Sequence, residues 1–202
     1  MRRWIHGAAL ASALLATGGA ARADDITEGL DRTRQLYEAG DLAGAVTELG
    51  FAVSALHQKR SEQYSKLFPP APAGWTLGEA EDTAGNALAA QMMGGGVMVA
   101  RSYTRGDDSE IKATVIVDSP LIQALAAMAK NPAMLGSNAK RVRIGGDNAI
   151  LEREADSDEA ELTLVRNNVA VKLEGSGLKD AEILTALMKG FDLAKLQNPQ
   201  GK

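Results

Sequence analysis

Alternation of apolar and polar positions in the middle of the chain predicts two β-strands joined by a polar loop. In residues 111–118 every second side chain is apolar, which is the period of a half-buried strand because successive side chains point to opposite faces. Residues 97–103 form the preceding apolar strand, and residues 104–110 form the loop. Ser119 and Pro120 then begin a predicted helix, since Ser caps helix N-termini and Pro fits the first helical turn.

Similar patterns predict the rest of the main domain. Apolar residues recur at helical spacing from Leu121 to Ala129 and again from Ile183 to Phe191, so a helix is expected at each place. Five further strands are predicted at residues 76–80, 140–144, 148–154, 162–166 and 169–174. Strands joined by short loops pair antiparallel. The pattern therefore predicts an α+β domain in which two helices cover one face of an antiparallel sheet.

Residues 24–68 are predicted to form an N-terminal helical hairpin. Gly40 is well placed to end the first helix and Asp41 to cap the second, because Gly tolerates positive φ and Asp accepts backbone N–H donors. On the second helix, apolar residues recur at spacings of four and three, at Leu42, Val46, Leu49, Val53 and Leu56. They form one stripe along the helix. Two helices alone are too few to bury this stripe, so we expect it to contact the main domain or another chain.

A Pro-rich segment, residues 69–75, is predicted as a stiff hinge between the hairpin and the main domain, because Pro fixes φ and removes a backbone donor. The α+β domain is expected to span residues 76–196, and residues 197–202 are expected to form a disordered tail. Within the domain, the small and Gly-rich residues 84–96 are predicted as a loop.

Residues 1–23 have the pattern of a signal peptide. Arg2 and Arg3 precede a short apolar run, residues 8–16, and Ala21-Arg22-Ala23 fits an A-x-A cleavage site. The run is too short to span a bilayer, and no later run is apolar enough to do so. We therefore expect an exported, soluble, periplasmic protein that begins at Asp24.

Charge and cysteine content narrow the function classes. The formal net charge is −4, and it becomes −7 when the three arginines of residues 1–23 are removed. A chain this acidic is a poor ligand for nucleic acids and anionic lipid surfaces. The chain has no cysteine, which excludes disulfides, thiol catalysis and thiolate metal sites.

Three resemblances are carried by stretches of this sequence. Residues 36–46 resemble the middle of a tetratricopeptide repeat, although the chain carries no second copy of the pattern. The element order over residues 69–196, opened by Pro72-Ala73-Gly74-Trp75, resembles the Mog1/PsbP-like α+β sandwich. Residues 67–75, 118–121 and 144–146 are similar to a group of uncharacterised secreted bacterial proteins. These resemblances imply a fold and a compartment but no activity.

The candidate chemistry is sparse. His57 is the only histidine after residue 23, and no G-x-S-x-G elbow is present, so a nucleophile has no evident base. One histidine without cysteine does not make an ordinary zinc or haem site, and we predict no cofactor. Two loops are acidic, but neither has the ligand spacing of a Ca²⁺ loop. Their carboxylates are Asp107, Asp108, Glu110, Asp156, Asp158 and Glu159.

The sequence thus predicts a non-enzymatic binding or scaffolding protein of the cell envelope. Its helix pair is expected to bind a protein partner or a second copy through the stripe on the second helix. The alternative is a periplasmic protein that binds a small ligand or a metal through residues 84–98, because the thioethers of Met92, Met93 and Met98 are soft ligands for Cu(I). A third interpretation is a hydrolase that uses a carboxylate pair including Asp107 or Asp158.

Overall fold

The computed structural model describes residues 24–81, 96–106, 108–130 and 137–199. The helices in this part of the chain are α1 (Asp25–Glu38), α2 (Leu42–Ser65), α3 (Leu121–Lys130), α4 (Glu182–Lys189) and α5 (Leu193–Gln197). The strands are β1 (Thr76–Glu81), β2 (Val97–Arg105), β3 (Ser109–Val117), β4 (Ala139–Ile144), β5 (Asp147–Glu152), β6 (Ala160–Arg166) and β7 (Val169–Ser176). None of the described helices is long and apolar enough to cross a membrane. The predicted signal peptide, residues 1–23, lies outside the described residues.

The strands form one open antiparallel sheet in the order β1-β2-β3-β7-β6-β5-β4. This confirms the predicted α+β class with an antiparallel sheet and an N-terminal helix pair. The β2–β3 hairpin is tighter than expected, since Thr104 pairs with Glu110 and Arg105 with Ser109. Polar side chains here misled the prediction, because strand pairing joins backbone groups and does not require apolar side chains. Thr104 and Glu110 are exposed, whereas Ser109 is buried and its hydroxyl donates to the Gly177 carbonyl at 2.8 Å.

One face of the sheet carries the main core. Tyr103, Ile111 and Leu173 are fully buried there and belong to the same cluster as Leu184 of α4 and Leu196 of α5. Because residues of one parity along a strand point to one face, the predicted alternation places these side chains together. Helices α4 and α5 cover this face. Of the two helices predicted to cover it, at residues 121–129 and 183–191, only the second lies here.

The opposite face is also covered, and the expectation that helices lie on one face only is wrong. Ile116 of β3 and Ala170 of β7 are buried in a second cluster with Ile122 of α3. Ile116 alternates with Val115 and Val117 of the main core, so α3 lies on the other face of the sheet. The central strands need cover on both faces, and Ile116 sits at a position that alternation had marked as polar.

The N-terminal hairpin has the predicted break. Gly40 has φ +81°, and an Asp41 carboxylate oxygen accepts from the Gly44 N–H at 2.9 Å. The two helices lie close together at Gly29 of α1, where an added Cβ would be 3.3 Å from the Cβ of Ala52. Small residues thus form the α1–α2 contact.

The chain divides into two compact units inside α2, between Ala52 and Val53, whereas the sequence places the boundary at the Pro-rich segment. Tyr64, Phe68 and Trp75 belong to the main core. The Tyr103 hydroxyl donates to the Pro69 carbonyl at 2.8 Å. The end of α2 and the Pro-rich segment are therefore packed parts of the second unit. The predicted tail is helical as far as Gln197, and residues 200–202 lie outside the described part.

Candidate interaction surface

Exposed apolar side chains are concentrated in the two N-terminal helices. Among the described residues, nine large apolar side chains are exposed, and only Met128 lies outside α1 and α2. The other eight are Leu30, Tyr37, Leu42, Val46, Leu49, Phe51, Val53 and Leu56. Single exposed apolar residues are normal on a soluble protein, but a contiguous set marks a surface that another molecule covers.

The predicted stripe lies along one side of α2 and is exposed throughout. Its members range from 36% exposure at Val53 to 72% at Val46. At 100° per residue the five side chains fall within an arc of roughly 80°. The α1 contact uses Ala45 and Ala52 instead, which are buried on a neighbouring side of α2. Helix α1 therefore leaves the stripe uncovered.

Phe51 was missed by the periodic pattern. Its side chain is 65% exposed and points about 180° away from Leu42 around the helix axis. The signal that could have found it is the near absence of charge, since Glu48 is the only charged residue between Leu42 and Leu56. A helix that is apolar almost all round requires burial on more than one side.

The ion pairs of α1 involve one charged residue of α2, Glu48. Arg32 of α1 pairs with Glu28 at 2.8 Å and with Glu48 at 3.4 Å. Arg34 pairs with Asp31 at 3.5 Å. Exposed pairs of this kind contribute little to stability. At 100° per residue, Glu48 lies roughly 120° around the helix axis from Leu42, so this charge is outside the stripe.

Beyond Leu56, the next residue on this side of α2 is charged. Arg60 lies on the same side of α2, and its guanidinium contacts an Asp118 carboxylate oxygen at 2.7 Å. Asp118 also accepts from the Asn168 side-chain amide at 2.6 Å, and it has a positive φ of 55°. These contacts hold a backbone conformation that a non-glycine residue rarely adopts. Tyr64, one turn further along α2, is buried in the main core.

A cavity of about 960 Å³ lies beside the second acidic loop, and Asp156 and Asp158 line it. The Arg153 guanidinium there donates to the carbonyls of Ser157 and Leu178, at 2.9 and 3.2 Å. Arg153 thus fastens the loop to the segment after β7. Within the described residues no buried side-chain nitrogen or oxygen lacks a partner.

The other candidate ligands lie only partly within the described residues. His57 is half-buried on α2, and no group of three His, Cys, Asp or Glu among the described residues is arranged to hold a metal. Met98 packs against the cluster of Ile116 and Ile122. Met92, Met93 and Asp107 lie outside the described residues, as do residues 84–95 of the predicted loop. The remaining carboxylates of the two loops, Asp108, Glu110 and Glu159, are exposed.

A charged row crosses the sheet on the face that α3 covers in part. Glu152, Glu161 and Glu174 stand directly opposite one another on β5, β6 and β7. Lys172 bridges two of them, at 3.0 Å from Glu161 and 2.9 Å from Glu174. Like charges directly opposite in a sheet are destabilising, so the lysine is a structural counter-charge.

Comparison with known proteins adds no relative. No protein-family model matches the chain, and neither a curated protein nor a solved structure was found to match it.

Proposed function

We propose that this chain is an exported, non-enzymatic protein of the cell envelope that binds another protein chain through the stripe on α2. The observation that carries the proposal is the concentration of exposed apolar side chains on α1 and α2. Fully burying one Leu or Val side chain contributes roughly 1.5–3 kcal/mol. A surface of five such residues therefore gains substantial free energy when a partner covers it.

Export is the part of the proposal that rests on the N-terminal pattern alone. The basic start, the short apolar run and the A-x-A site of residues 1–23 support it. N-terminal sequencing of the protein from a periplasmic fraction tests it, and the expected first residue is Asp24. A chain that keeps Met1, or that stays in the cytoplasm, contradicts export.

We also propose that the sheet domain is a Mog1/PsbP-like sandwich. The support is the element order together with Pro72-Ala73-Gly74-Trp75 immediately before β1. This assignment brings no activity with it, so the functional argument stays with the helices.

The stripe is tested by Leu49→Glu with Phe51→Glu as the matched control. Both side chains are exposed on the same helix, but they point to nearly opposite sides. After chemical crosslinking in an envelope preparation, the wild-type chain and Phe51→Glu are expected to form the same adducts. Leu49→Glu is expected to lose them, because a charge on the stripe must be desolvated when a partner covers it.

Unfolding curves of the purified variants keep this test interpretable. At a protein concentration too low for self-association, Leu49→Glu should unfold at the wild-type midpoint, since its side chain is exposed and makes no core contact. If Leu49→Glu retains every adduct that the wild-type chain forms, the stripe is not the interaction surface.

A further inference from the structure

We infer that the occupant of the stripe is a second copy of this chain, whose α2 packs in parallel against α2 of the first as a two-stranded coiled-coil seam. The inference rests on the proposed function, because it names the partner of the same surface. Three features of α2 carry it: the order of residue types, the absence of charge beside the stripe and the extent of the exposed face.

The order of residue types is that of a heptad repeat. Leu42, Leu49 and Leu56 are spaced by seven residues, and Val46 and Val53 alternate with them. In heptad notation every leucine takes position d and every valine position a. Among parallel coiled coils, a β-branched residue at a with Leu at d favours two strands. The stripe therefore carries the pattern by which a helix pairs with its own kind.

The flanks of the stripe are compatible with a second copy. Ala43 and Gly50 lie on one side of it, and on the other side Ala45 and Ala52 are buried, where α1 contacts α2. Between Leu42 and Leu56, two identical α2 helices would thus bring no like charges of their own together beside the seam. Charged flanking positions are also what selects a different partner in coiled coils. Their absence here leaves the shape and the Val/Leu order as the recognition elements.

The exposed face sets the strength of the association. From Leu42 to Leu56 the seam is about 21 Å long at 1.5 Å per residue. It stops at the next position a, because Arg60 is held by Asp118 of its own unit. A face of this length and about 10 Å in width is smaller than the ~800 Å² per partner of a standard interface. The expected dimer is therefore reversible and depends on concentration.

Sedimentation of the full chain over an about hundredfold range of concentration tests dimer formation by mass action. The wild-type chain and Phe51→Glu are expected to pass from monomer to dimer. Leu49→Glu should raise the dimer dissociation constant by more than about tenfold, because it places two charges against each other in a desolvated seam. Equal dimerisation of the two variants, or a wild-type chain that stays monomeric, overturns the inference.

The absence of native cysteine permits a direct test of direction. In a parallel seam Leu42 faces Leu42 of the other copy, so Leu42→Cys alone should form a disulfide-linked dimer on mild oxidation. In an antiparallel seam a d position faces an a position, so Leu42→Cys would instead link to Val53→Cys in a mixture of the two variants, which would overturn the parallel arrangement. Phe51→Cys, on the far side of the helix, is the control and should form no disulfide-linked dimer.

The two proposals fail in different ways. A monomeric wild-type chain that still forms Leu49-dependent adducts with other envelope proteins overturns the second-copy inference and leaves the proposed function standing. If Leu49→Glu changes neither the dimer nor the adducts, both are overturned.

Discussion

Tyr103 makes the free energy of unfolding of the main domain depend on pH in the alkaline range. Its side chain is fully buried, and its hydroxyl donates to the Pro69 carbonyl at 2.8 Å. Burial raises the pKa of Tyr103 to about 12, against a smaller opposing effect of the Arg101 charge. The unfolded chain ionises this phenol near pH 10, about two units lower. The folded state therefore holds the proton more tightly than the unfolded state.

The sign and size of the effect follow from this difference. Because the folded pKa is the higher one, the stabilisation is complete below pH 10 and is lost as the pH rises towards 12. At 1.36 kcal/mol per unit, the full loss is about 2.7 kcal/mol, and about half of it should be reached at pH 11.

Tyr103→Phe isolates this contribution. At pH 8 the variant should be less stable by about 1–2 kcal/mol, because the buried Pro69 carbonyl loses its donor. Between pH 8 and pH 11 the gap to the wild-type chain should narrow by about 1.4 kcal/mol, since the variant has no phenol to ionise. Urea unfolding followed by the fluorescence of Trp75, which is buried in the same core, measures both values.

Tyr37→Phe is the control, because it removes a phenol that is 67% exposed on α1 and lies outside the main core. The reasoning is refuted if Tyr103→Phe and the wild-type chain lose stability in parallel between pH 8 and pH 11.

Two further predictions concern residues of the sheet and its borders, and the same urea assay measures them. Gly96→Ala should lower the free energy of unfolding by at least about 1 kcal/mol, because Gly96 has φ +103° and an added Cβ would lie 2.7 Å from a backbone oxygen of β3. The control is Gly106→Ala, which has open space around it and should lower this free energy clearly less. Equal losses in the two variants would contradict the argument. Lys172→Met should lower it by up to about 1 kcal/mol, and Glu161→Gln in that background should recover part of the loss, since it removes one of the facing charges. A Lys172→Met chain that gains nothing from Glu161→Gln would show that the lysine is not a counter-charge.

Local signals in the sequence predicted individual elements well. The alternation from Ile111 to Val117 predicted β3, and Gly40 with Asp41 predicted the break between α1 and α2. Such signals depend on chain geometry over a few residues, because a strand has period two and a helix end needs local caps. The element bounds were less accurate, as at the β2–β3 hairpin.

Which face of the sheet a helix covers could not be predicted in this way. Helix α3 packs on Ile116 and Ala170, from strands that are adjacent in the sheet but separated by three other strands along the chain. That neighbourhood exists only after β3 has paired with β7. Periodicity reports the two faces of one strand and is silent about its distant neighbours.

For the candidate surface the division is similar. The sequence by itself determined that Leu42, Leu49 and their valine neighbours lie on one side of α2, because helical spacing is a property of the helix alone. Only the tertiary structure decided that this side is exposed. Helix α1 packs on α2 at Ala52, where Gly29 allows the backbones to approach closely. Because this contact uses small residues, the large apolar side chains of the stripe stay exposed.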